Sequence, residues 1–250
     1  MRKGILAMLL SSALLAGCAS SPESAHSEVN DPFEGFNRVM WDFNYDVLDP
    51  YIARPASLAY VNYVPSPVRS GVGNFLSNLE EPVSFFNSVL VLDGEAAVTH
   101  FNRFWLNTFF GLGGLIDIAT AAEIGNPSDR EFGDTLGYYG VGNGPYLMYP
   151  IYGPSTVRET AGDFVDGMMP MVVYLNFWQG LAKWALQGME SRAALVQQEA
   201  MLENSPDPYI FTRDAYIQNR NFRASGGKVD PSLYEEEDFL EDYLDEIDDY

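Results

Sequence analysis

Few residues in this chain carry chemistry, and their placement narrows what that chemistry is. In 250 residues there is one cysteine, Cys18, and there are two histidines, His26 and His100. Cys18 closes Leu15-Ala16-Gly17-Cys18 behind the apolar run Gly4 to Ala16, which itself follows Arg2 and Lys3. A basic start, an apolar stretch too short to span a bilayer and small residues before the cysteine make a leader with a lipid-attachment cleavage site. The segment resembles a lipoprotein signal, and that resemblance implies a diacylglyceryl thioether on Cys18 with a further acyl chain on the new N-terminus; an ordinary secretory leader with an incidental cysteine is the alternative. Several such chains anchor a protein durably, at about 0.8 kcal/mol per buried methylene. No other cysteine is present to pair with it.

Catalysis finds little support. His26 falls in a linker-like stretch, so any histidine-dependent mechanism rests on His100 alone. The sequence has no zinc-ligand spacing, no Gly-x-Ser-x-Gly elbow and no phosphate-binding loop. Gly111-Leu112-Gly113-Gly114 follows a helical pattern where a nucleotide loop would follow a strand. Asp117, Asp134 and Glu159 are available for acid–base work, but nothing in their spacing selects them. No catalytic residue, metal-ligand set or cofactor is assigned.

With the leader (1–17) set aside, the chain divides into a lipidated N-terminus and flexible tether (18–30), a single helical domain (31–228) and an acidic tail (229–250). The expected class is all-α. Asp31-Pro32 opens a first helix with Phe36, Met40 and Phe43 on one face, ending near Leu48 before Asp49-Pro50. Pro65-Ser66-Pro67 introduces a second, Glu81-Pro82 restarts the chain through Leu92, and Asp93 caps another running to Phe110. Six glycines between Gly133 and Gly153 predict a loop system with a hairpin at Gly142-Asn143-Gly144. Ser155 caps the next helix, and Asp207-Pro208 opens the last, which ends before Gly226-Gly227.

Charge excludes some partners. Acidic residues number 35 against 14 basic ones. That balance disfavours nucleic acid and gives no electrostatic attraction to an anionic lipid surface. Ten of the acids lie between Glu235 and Tyr250, with no base among them. Phe239, Leu240, Tyr243, Leu244 and Ile247 recur there at helical spacing. The tail reads either as a solubilising end or as a segment that folds onto a basic partner.

Two stretches are too apolar for an ordinary water-facing surface: Phe104 to Ala122 and Met168 to Leu186. Asn107 and Asp117 in the first, Pro170, Asn176 and Lys183 in the second, argue against membrane spans. They are either buried core helices or helices lying within one leaflet. Phe36-Asn37-Arg38 and Trp41 to Asp46 interleave aromatic and polar residues, which suits either a capped core helix or contact with a ligand that has a head and tails. Met168, Met169 and Met171 add a deformable cluster.

Several separated signatures resemble the MlaA (VacJ) lipoproteins in the same order. They are Asp31-Pro32-Phe33-Glu34-Gly35-Phe36-Asn37-Arg38, Asn78-Leu79-Glu80-Glu81-Pro82, Arg103-Phe104 with Asn107-Thr108, Gly111 to Asp117, Phe132-Gly133 with Thr135-Leu136-Gly137, and Tyr139-Gly140-Val141-Gly142 with Gly144-Pro145-Tyr146. The resemblance implies a ring of helices embedded mainly in the inner leaflet of the outer membrane, with an amphipathic channel through it. It further implies removal of phospholipid from the outer leaflet, association with a trimeric porin and delivery to a soluble periplasmic carrier, without ATP, metal or catalysis. Ala19 and Ser20 behind the cysteine agree with an outer-membrane address on the periplasmic face. Lipid-path candidates are Phe36, Asn37, Arg38, Trp41, Phe43 and Asn44 at an entrance or latch, and Tyr138, Tyr139 and Tyr146 on a movable glycine-rich wall. Arg38 either meets a phosphate or pairs with Glu34 one turn away. A structural lipoprotein that braces a porin, and a membrane-anchored lipid hydrolase, are the rival readings.

Overall fold

The computed structural model describes residues 29–169, 177–195 and 199–227. Cys18, the tether and the acidic tail lie outside them, as do Met171 and the segment 170–176. Among the described residues the chain is helical apart from one two-stranded sheet.

The first helix, α1 (Glu34–Asp42), does not use Asp31 as its cap. The Asp31 carboxylate accepts instead from Asn37 Nδ2 at 2.8 Å and from the Tyr209 hydroxyl at 2.5 Å, so it joins distant chain rather than closing the nearest turn. Nor does the helix stop before Asp49-Pro50. It widens into a π-helical segment, Phe43–Ala53, and continues as α2 (Arg54–Tyr63). A proline ring in an α-helix strikes the carbonyl four residues back, and a wider turn relieves that contact.

The long helix α3 (Ser66–Leu90) runs unbroken through Glu81-Pro82, where a restart was expected. Packing along α4 (Gly94–Phe109) holds the two halves in line despite the lost N–H. Asp93 caps α4 as expected, accepting from Ala96 N at 3.1 Å. The chain then reverses through Gly111 to Gly114 into the short α5 (Ile118–Ala121). Gly111 is obligatory there, because a Cβ would sit 2.1 Å from the Ile116 carbonyl oxygen.

Helix α6 (Phe132–Tyr138) occupies the start of the expected loop region. The hairpin lies downstream of Gly142-Asn143-Gly144, pairing β1 (Tyr146–Tyr149) with β2 (Gly153–Thr156) in the register Tyr146↔Thr156 to Tyr149↔Gly153. Asn143 is committed elsewhere: its Nδ2 donates to Asn221 Oδ1 at 2.7 Å and its carbonyl accepts from Arg158 N. Thr156 rather than Ser155 caps α7 (Val157–Asp166), its hydroxyl accepting from Glu159 N at 3.2 Å at the end of β2. Helices α8 (Phe177–Leu195), α9 (Glu199–Glu203) and α10 (Pro208–Ala224) complete the order, with Asp207 capping α10 and Gly226-Gly227 following it.

Among the described residues, a buried apolar cluster forms around the hairpin, from Tyr146, Met148, Tyr209 and Ile217 with Met40 and Trp41 against them. Elsewhere the pattern inverts. Of the described residues, 16 polar or charged ones are buried against 10 apolar ones, while 38 large apolar side chains are exposed. That excess of outward apolar surface marks this exterior as built to meet something other than water.

Candidate functional site

The exterior is organised in stripes. On α4, Val98, Phe101, Trp105 and Phe109 are exposed at steps of three and four residues, and Phe110, Leu112, Leu115 and Ile116 continue the stripe around the reversal. Along α1 and the π segment, Phe36, Val39, Phe43 and Val47 do the same. The apolar stretch from Phe104 thus forms neither a span nor a buried core helix: no helix among the described residues is long and apolar enough to cross a membrane.

Three aliphatic residues are held outward at a conformational cost. Leu92, Leu112 and Ile151 have φ of 61°, 56° and 71°, and are 88%, 71% and 55% exposed. Left-handed backbone disfavours any side chain with a Cβ by roughly 1–2 kcal/mol, most of all a β-branched one. Glycine or asparagine would remove that cost, so apolar side chains are retained here against local preference.

Behind the α4 stripe the buried layer is ionic. Glu81 on α3 takes Arg103 Nε at 2.8 Å on one oxygen and His100 Nδ1 at 2.6 Å on the other. Arg103 Nη2 reaches Asp117 at 3.0 Å, and Asn107 donates to the second oxygen of Asp117 at 3.1 Å while accepting from Ala119 N. Partial burial pushes the Asp117 carboxyl up, but Thr120, Asn107 and Arg103 together outweigh it and hold the pKa at about 2. A second network, under α10, pairs Arg158 with Glu159, Arg220 with Glu131 and Arg223 with Asp134. Asp117, Asp134 and Glu159 are therefore all committed to ion pairs, and His100 has no exposed surface to offer a substrate.

The residues singled out in the sequence divide by location. Phe36 and Phe43 are exposed on the α1 stripe, and Tyr138 and Tyr139 are exposed on the glycine-rich wall. Asn37 and Tyr146 have no exposed surface, which places them inside the fold. Asn37 donates to the Tyr146 carbonyl at 3.1 Å and accepts from Met148 N at 2.9 Å. Seven residues on, Asn44 repeats the arrangement, donating to the Tyr149 carbonyl at 2.8 Å and accepting from Ile151 N at 2.7 Å. Seven helical residues rise about 10.5 Å, close to three residues of strand, so the two amides act as a substitute neighbour strand for β1. Trp41 stacks on Tyr45 with ring centres 5.0 Å apart. Arg38 pairs with Glu34, the alternative to a phosphate, and also with Asp207 at 2.8 Å.

An open cavity of about 480 Å³ lies where the C-terminal ends of α6 and α10 meet, walled by Tyr138, Val141, Asn143, Arg158 and Asn221. Glycines 137, 140 and 142 form one side of it, and Gly137 leaves the space that the Arg158 guanidinium fills. Charges in the ionic layer escaped selection in the sequence because each looked like one polar residue in an apolar helix. Glu81 and Arg103, sited within otherwise apolar patterns, were the available signal.

The MlaA lipoprotein family model matches residues 29–223. The intermembrane phospholipid transport system lipoprotein MlaA of Escherichia coli K12 is 44% identical over 250 residues, 99% of each chain. The Haemophilus influenzae protein of the same name is 43% identical, over 98% of this chain and 99% of its own. A solved structure, described under the structural basis for maintenance of bacterial outer membrane lipid asymmetry, superposes with a TM-score of 0.75 at 52% identity, covering 78% of this chain and 99% of that one. With a matching family model over most of its length and full-length relatives well above 30% identity, this chain belongs to the MlaA lipoprotein family.

Proposed function

We propose that this protein is the outer-membrane lipoprotein of a phospholipid transport system, anchored through Cys18 on the periplasmic face. In this reading it takes misplaced phospholipid from the outer leaflet through an amphipathic ring and passes it to a soluble periplasmic carrier, beside a trimeric porin. The observation that carries the reading is the apolar exterior wrapped around an ionic interior. Apolar side chains facing acyl chains cost nothing, whereas polar groups facing them would cost several kcal/mol each, so the charges gather inside. Outward Leu92, Leu112 and Ile151 support it, since their strain has a return only where the side chain meets lipid. Phe36 and Phe43 then lie on the lipid side of the entrance, Asn37, Arg38, Trp41, Asn44 and Tyr146 brace it from behind, and Tyr138 and Tyr139 stand on the movable wall.

The test is a deletion strain in which surface-exposed phospholipid is measured. Outer-leaflet phospholipid should rise on deletion, fall again on complementation with the parent gene, and stay high with a Cys18→Ala chain. An outer leaflet unchanged by deletion would sink the proposal.

A further inference from the structure

The segment Phe43–Ala53 keeps i→i−5 geometry over 11 residues, with Arg54 N bonded to the Asp49 carbonyl at its end. Such geometry ordinarily occurs as single turns, often at functional positions. Its register has a consequence for the surface. At about 4.4 residues per turn, the exposed Phe43, Val47, Tyr51 and Ile52 fall within about 80° of one another, whereas at 3.6 per turn they would spread over about 180°. The wide turn therefore gathers four apolar side chains into one stripe. Pro50 favours it without enforcing it, because proline removes one bond in either register.

What grips the segment is Arg192, in the last turn of α8. Its Nε meets Asp49 Oδ1 at 2.5 Å and its Nη2 meets Oδ2 at 2.8 Å, a two-pronged contact that leaves the side chains only 17% and 20% exposed. Glu199 bonds the same Nη2 and also Arg54 at 3.0 Å, so the grip extends to the first residue of α2. Narrowing the segment to α-helical pitch would turn Asp49 by about 100° relative to Phe43 and carry it away from the guanidinium.

We propose that Arg192 is a positioning residue: through Asp49 it locks Phe43–Ala53 in the wide register and so presents Phe43, Val47, Tyr51 and Ile52 as a single lipid-facing stripe. The lipid-transport reading enters only in naming what the stripe meets; the register is a property of the chain alone.

The experiment places single cysteines along 43–53 of the full-length chain in phospholipid vesicles. Each is challenged with a water-soluble maleimide, and labelling is read by peptide mass spectrometry so that Cys18 is scored separately. In the parent, protection should recur at 43, 47, 51 and 52. With Arg192→Ala the pattern should shift to a shorter period, position 52 should become labelled, and lipid transfer should fall several-fold. The exchange Asp49→Arg with Arg192→Asp should restore both. An unchanged pattern in Arg192→Ala, or an exchange that restores neither, overturns the proposal. If Arg192→Ala does not fold, Arg192→Lys keeps the charge without the fork and is read the same way. A parent that transfers no lipid while its labelling still follows Arg192 counts against transport and in favour of the lock.

Discussion

Around the hairpin, Tyr146, Met148, Tyr209 and Ile217 bury against one another, whereas on α3 and α4 the charged or polar Glu81, His100, Arg103 and Asn107 are buried alongside Leu76, Val83 and Ala97. The same chain builds one interior on an apolar cluster and sets an ionic network into the other. Helix α4 shows Phe101, Trp105 and Phe109 outward, and burying them again on the inside would gain nothing if the outside is already acyl chain. Charge taken into a low-dielectric place is costly unless each group is paired, and here Arg103 pairs with both Glu81 and Asp117 while His100 bonds Glu81 and Asn107 and Thr120 bond Asp117. The contrast lies in the interiors: both sides show apolar residues outward, Ile151 at the hairpin turn as well as Phe101 on α4, but only the α3–α4 side sets an ionic network behind them.

The comparison breaks first at Arg103. Arg103→Ala leaves Glu81 and Asp117 facing an emptied, buried site, and should cost about 4 kcal/mol of stability in denaturant titrations of the full chain in detergent. On the hairpin side, Met148→Ala should cost about 3 kcal/mol through lost burial and a cavity, with the same titration as readout. Asn37→Ala removes the partner of a buried strand amide and carbonyl, and should cost about 2 kcal/mol with faster hydrogen exchange at Met148 N–H.

Acid sharpens the distinction. Asp117 has its folded pKa lowered from 3.8 to about 2, so its stabilisation is present above pH 3.8 and is lost as pH falls through about 2. Unfolding followed between pH 5 and 2 should show a loss of about 2 kcal/mol in the parent that is absent in Asp117→Asn. The smallest effect is expected at Leu112→Gly. Relief of left-handed backbone should raise stability by about 1 kcal/mol, while co-flotation with phospholipid vesicles weakens. A vesicle affinity that is unchanged or higher would remove the lipid-side account of that residue.

Legibility followed distance along the chain. The caps Asp93 and Asp207 and the end of α10 before Gly226 are set within one turn of their partners, and all are as the sequence predicts; the Arg38–Glu34 pair, equally local, is one of the two alternatives left open there. Asp31 and Pro82 misled because a tertiary partner outweighed the local signal: Tyr209 claims the carboxylate of Asp31, and α4 holds α3 straight at Pro82. Asn37 and Asn44 read either as part of a capped core helix or as ligand-facing, and neither reading pointed to the strand more than a hundred residues away that their amides bond. The hairpin moved off Gly142-Asn143-Gly144 because Asn143 is bound to α10.

Sequence alone was enough for the caps Asp93 and Asp207, the stop at Gly226 and the two unusually apolar stretches, because periodicity and capping act over three or four residues. Only the tertiary structure decided which apolar faces stay outward and which charges cancel inside. Glu81 with Arg103, Asp49 with Arg192 and Arg38 with Asp207 are joined across 22, 143 and 169 residues of chain. Partners that far apart leave no periodic trace, and their pairing exists only once the helices have packed.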